Sequence, residues 1–96
     1  MKKQFTPYAN ARIGFYESRF QNQTNQQLVN EFNQLANSRG WTAERSFYSV
    51  ALINEMIRRE MNVSAISECD DRGQVISVHY VVVRYDEASK SLVPMK

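Results

Sequence analysis

The spacing of apolar residues changes at Asn62. Before it they recur every three or four positions; after it they recur every second. The first period belongs to helices and the second to strands. Helices gathered ahead of strands are the order of an α+β domain. The expected fold is two-layered, with N-terminal helices packed on one face of a C-terminal three-stranded antiparallel meander.

The helical half carries its own punctuation. Thr24 to Gln27 fits a capping box, in which the Thr hydroxyl and the Gln side chain each satisfy the other residue's backbone N–H. Leu28, Phe32, Leu35 and Ala36 follow as one stripe. Arg39 suits the last turn of that helix, and Gly40 a left-handed cap. Trp41 is a staple residue and Thr42 the next N-cap. In the second helix Phe47, Val50, Ala51, Ile53, Met56 and Ile57 cover more than half the circumference. A stripe so broad predicts packing on more than one side. Upstream, Thr6-Pro7 reads as an N-cap and first helical residue, with Ile13, Tyr16 and Phe20 on one face. Arg12 to Tyr16 also reads as a short strand. Ten Asn or Gln residues lie between positions 21 and 37, but the apolar stripe running through them marks a polar helix face.

The strand half divides at two turns. Asp70 to Gly73 fits a type I turn with Gly73 at positive φ, and Asp86 to Lys90 forms a second turn. Between them Gln74 to Tyr85 reads as one strand rich in Val, Ile and Tyr. Ser91 to Pro94 makes a last edge strand. A tight first turn sets Cys69 opposite Val75 and Ala65 opposite His79. One face then carries Ile66, Ile76, Val78, Tyr80 and Val82, and the helices are expected to cover it. The other carries Val63, Ala65, Val75, Val81, Val83 and Tyr85 around His79. So apolar a second face predicts a partner, a dimer interface, or the N-terminal segment lying over it.

Composition limits the functions open to this chain. Its 96 residues make a single domain, with residues 1–22 a basic, aromatic N-terminal segment. One Cys forms no intrachain disulfide, and one Cys with one His makes no conventional zinc site. The net charge of +2 is small, but Lys2, Lys3, Arg12 and Arg19 face only Glu17 in the first 22 residues. Those four basic residues, interleaved with Phe5, Tyr8, Phe15, Tyr16 and Phe20, are candidate nucleic-acid contacts. No signal-peptide core follows Lys2-Lys3, and no apolar run approaches the ~20 residues of a membrane span, so a cytoplasmic protein is expected.

Catalytic signals are sparse. Cys69 and His79 share a sheet face without being cross-strand partners. Asp70, Asp71, Asp86 and Glu87 fall in turns at opposite ends of the sheet, and Glu44 and Glu55 read as helix surface charges. There is no Gly-rich phosphate loop, nucleophile elbow or RNA-recognition aromatic motif. The expectation is a non-enzymatic protein-interaction or regulatory module without catalytic residues, metal, cofactor or small-molecule substrate. Its partner is another protein or a second copy; a nucleic-acid-binding accessory role is the alternative.

Overall fold

The computed structural model describes residues 6–38 and 42–95. Lys2, Lys3 and the capping and staple roles read for Arg39, Gly40 and Trp41 lie outside the described residues. Three helices, α1 (Pro7–Phe20), α2 (Asn25–Asn37) and α3 (Ala43–Arg58), precede four short strands, β1 (Ser67–Cys69), β2 (Val75–Val78), β3 (Val83–Asp86) and β4 (Ser91–Pro94). The helices pack against the antiparallel strands, as an α+β fold requires. No helix among the described residues is long and apolar enough to cross a membrane.

Each helix starts where its side chains can satisfy the free backbone N–H groups. The Thr6 hydroxyl accepts from the Ala9 amide, with Pro7 at the first helical position. The N-terminal segment is thus helical from Pro7, not a strand over Arg12 to Tyr16. Thr24 and Gln27 form the full capping box, at 3.1 and 2.7 Å. The Thr42 hydroxyl accepts from the Arg45 amide at the head of α3. Helix α3 packs on α1, α2 and β2, which explains its broad apolar face. Phe20, Leu28, Phe32, Leu52, Ile53, Met56 and Ile66 are wholly buried and form the centre of the core.

The strands depart from the expected meander. Residues 74–85 are not one strand: β2 pairs only with β1, and β3 only with β4, in separate two-stranded sheets. Cys69 does face Val75, but a bulge after Glu68 shifts the register, so that Ser67 faces Val78. The break lies at residues 79–82. There the Val81 amide donates back to the His79 carbonyl at 3.0 Å, while the His79 amide donates to the Ile66 carbonyl at 2.7 Å.

The cause is Tyr80. Its ring lies parallel to Phe32 at 6.1 Å, and its hydroxyl is 2.8 Å from the buried Ser49 hydroxyl. The Arg45 guanidinium sits 4.2 Å over the same ring. A straight strand would hold an apolar face in water; the break at 79–82 lets the two hairpins take separate directions. Val63, Val75 and Val83, read as part of a second face, therefore join the helical core. Ile76, read as helix-covered, is 58% exposed instead. The periodicity failed here because a period of two assumes one uninterrupted pleat.

Glu55 also differs from its reading as a surface charge. It is 2% exposed and bonded by Arg58 and Arg59. Arg59 continues to the Asn25 side chain at 2.9 Å and the Phe20 carbonyl at 3.0 Å. One guanidinium thereby joins the end of α1, the start of α2 and the end of α3.

Candidate functional site

A concavity of about 370 Å³ lies where the three helices converge. Its walls follow helical spacing. Glu31, Gln34, Leu35 and Ser38 lie at i, i+3, i+4 and i+7 along α2 and its C-cap. Glu44, Arg45 and Tyr48 come from the first half of α3, whose start Thr42 fixes. Tyr16 of α1 supplies the remaining wall.

Two tyrosine–carboxylate pairs define its chemistry. The Tyr48 hydroxyl donates to Glu31 Oε1 in a short hydrogen bond. The Tyr16 hydroxyl donates to Glu44 Oε1 at 2.5 Å. The Tyr16 and Tyr48 rings meet edge to face at 5.0 Å. Glu44 is further engaged by Arg12, whose Nη2 lies 3.1 Å from Oε1 and whose Nε lies 3.2 Å from Oε2. The Tyr8 hydroxyl reaches Oε2 at 3.4 Å.

These contacts fix protonation states. The Tyr16 hydroxyl, then the Arg12 guanidinium, hold the Glu44 carboxyl below its usual range. Burial, then the bond to Glu31, pushes the Tyr48 phenol above its ordinary value. Glu44 is thus an anion and Tyr48 a neutral phenol throughout the physiological range.

Arg12 extends the site onto the outer face of α1. Its guanidinium lies 5.0 Å over the Phe15 ring and 5.2 Å over the Tyr16 ring. Phe15 is 52% exposed and Tyr8 64%. Tyr8 rests edge-on against Phe47 at 5.9 Å. Tyr8, Arg12 and Phe15 form a continuous aromatic and arginine surface on the side of Tyr16.

The residues singled out by sequence do not gather. Arg12 is half-buried on Glu44, whereas Arg19 is exposed. Val63, Val75 and Val83 are buried in the core, Ala65 and Tyr85 are half-buried, and Val81 and His79 are exposed. His79 faces Glu68 across an exposed 3.4 Å contact, and Cys69 is exposed. Among the described residues no group of three His, Cys, Asp or Glu side chains comes together. Glu31, Tyr48 and Leu35 were not read as a site. Their signal is the repeat of a carboxylate and a second polar group at helical spacing, Glu31–Gln34 on α2 and Glu44–Tyr48 on α3. Comparison with family models, curated proteins and solved structures finds no match to this chain.

Proposed function

We propose that this chain is a non-enzymatic protein-interaction module that docks its partner in the three-helix groove and on the flanking surface of α1. The observation that carries the reading is the open groove of about 370 Å³ bordered by the exposed rings of Tyr8 and Phe15. Tyr, Arg and Phe are enriched at interface centres, where large rings bury area at small entropic cost. Arg12 is already held by Glu44 and Tyr16, so binding need not order it.

A nucleic-acid role fits less well. Arg12 stands against a carboxylate, and the groove holds two carboxylates beside one lining arginine. Phosphates are repelled by that arrangement.

Quantitative affinity capture from cells expressing the protein tests the reading. A partner should be retained by the wild type and depleted at least several-fold with Phe15→Ala and with Tyr8→Ala, both folded by circular dichroism. The purified partner should protect α1 and α2 amides from hydrogen exchange. Undiminished capture by both variants refutes the reading. So does a partner whose protection maps to β1 and β2. Light scattering distinguishes a second copy of this chain from a different protein.

A further inference from the structure

We propose that the three-helix groove receives an arginine or lysine side chain of the partner protein, bound through Glu31. This inference rests on the interaction reading above and adds the chemistry of the group recognised.

The two carboxylates of the groove are not equivalent. Glu44 is saturated: both its oxygens accept from Arg12, and each also accepts a tyrosine hydroxyl. Glu31 accepts one hydrogen bond, from Tyr48 at Oε1. Among the described residues its Oε2 has no donor. A carboxylate accepts about four hydrogen bonds, so Glu31 keeps most of its capacity. The bond from Tyr48 also holds the Glu31 side chain at the groove, so that an incoming cation meets an ordered acceptor.

The surroundings favour a cation over other donors. Tyr16 and Tyr48 contribute aromatic walls, and a guanidinium or ammonium is attracted to ring faces. The positive charge native to the groove, on Arg45, is engaged elsewhere. Its guanidinium lies over Tyr80 and its Nη2 donates to the Leu35 carbonyl at 2.9 Å. Leu35 adds apolar surface for the methylene stem that such a side chain carries. An acidic side chain would instead meet the uncompensated carboxylate of Glu31.

The test uses the full chain, isotopically labelled, titrated with acetyl-Gly-Arg-Gly-amide and with its Glu counterpart. Glu31→Gln keeps an acceptor for Tyr48 while removing the charge, and Glu87→Gln removes a charge from an exposed turn. The basic peptide at ~1–10 mM should shift the amides of Glu31, Leu35 and Tyr48, as a single side-chain contact of millimolar affinity would. Glu31→Gln, with an unchanged melting temperature, should weaken this about tenfold. Glu87→Gln should match the wild type. Equal shifts with the acidic peptide overturn the proposal, as do wild-type affinity in Glu31→Gln or silent groove amides. If Glu31→Gln retains the captured partner while Phe15→Ala loses it, the interaction reading stands and this inference falls.

Discussion

Arg59→Met should cost about 3 kcal/mol of stability. Arg59 is a structural arginine: its Nε bonds Glu55 at 2.7 Å, and its remaining nitrogens reach Asn25 Oδ1, the Phe20 carbonyl and the Gln21 carbonyl. Methionine keeps most of the apolar stem, so the loss falls on the polar contacts. A hydrogen bond to a charged group contributes about 1.5–3 kcal/mol, and stranding one partner of a buried ion pair costs about 3–5 kcal/mol. Glu55 retains Arg58, which moves the expected loss to the lower end of that range. At about 4–8 °C per kcal/mol for a domain of this size, Tm should fall by about 12–24 °C.

Urea unfolding followed by circular dichroism measures this, and a second variant isolates the cause. Glu55→Met combined with Arg59→Met removes the buried carboxylate together with its half-buried partner. The pair should therefore be more stable than Arg59→Met alone, because no carboxylate is left with half its partners. Acid titration supplies a third readout. The Arg58 hydrogen bond, and after it that from Arg59, lowers the Glu55 pKa against the opposing effect of burial. A carboxyl whose pKa is depressed by folding stabilises the protein above its unfolded value, here about 4.5. That contribution is lost as pH falls from 4.5 through the folded value. Arg59→Met should flatten this acid limb. A loss below ~0.5 kcal/mol, or a double variant no more stable than Arg59→Met alone, would refute the assignment of Arg59 as the joint between the helices.

Other substitutions address the sheet and the caps. Asn33 of α2 accepts from the Val83 amide at 2.9 Å and donates to the Val83 carbonyl at 2.8 Å, standing in for a neighbouring strand. Asn33→Leu should cost about 2 kcal/mol, and concentration-dependent light scattering should show the uncapped edge of β3 promoting association. Gly73 has φ of +81° with open space where a Cβ would stand, so Gly73→Ala should cost about 1 kcal/mol from backbone strain alone in denaturant unfolding. Thr24→Ala dismantles the capping box and should lower stability by about 1 kcal/mol, visible as reduced amide protection in the first turn of α2.

The helical half was legible because its signals are local. Thr6-Pro7, the Thr24–Gln27 box and Thr42 act within four residues, and each does what its spacing implies. The stripes Ile13–Tyr16–Phe20 and Leu28–Phe32–Leu35 face the core for the same reason: helix geometry repeats without reference to the rest of the chain. Glu55 was not legible. An i, i+4 spacing to Arg59 allows an ion pair but says nothing of the burial, which accompanies Arg59 reaching across to Phe20 and Asn25, distant in the chain. The groove lies between these cases. The helical spacing of its walls is present in the sequence, but only tertiary packing brings Glu31 to Tyr48 and Glu44 to Tyr16.

The bend at Tyr80 shows how one long-range contact relocates the binding surface. Alternation along residues 74–85 implied an apolar face on each side of a straight strand, and hence a spare face for a partner. Tyr80 has a more favourable place beside Phe32, Ser49 and Arg45, where its ring stacks and its hydroxyl is satisfied. The pleat is interrupted around it, at residues 79–82, and the two hairpins bury Val75 and Val83 in the core that the helices share. Of the valines that looked like an interface, Val63, Val75 and Val83 are buried by folding and Val81 stays exposed. In the C-terminal half Ile76, Val81 and Met95 remain exposed. The aromatic residues left at the surface of α1 are instead Tyr8 and Phe15, because Ile13 and Phe20 already fill the core side of that helix. Those two rings border the groove in which Glu31 keeps an oxygen available to a donor.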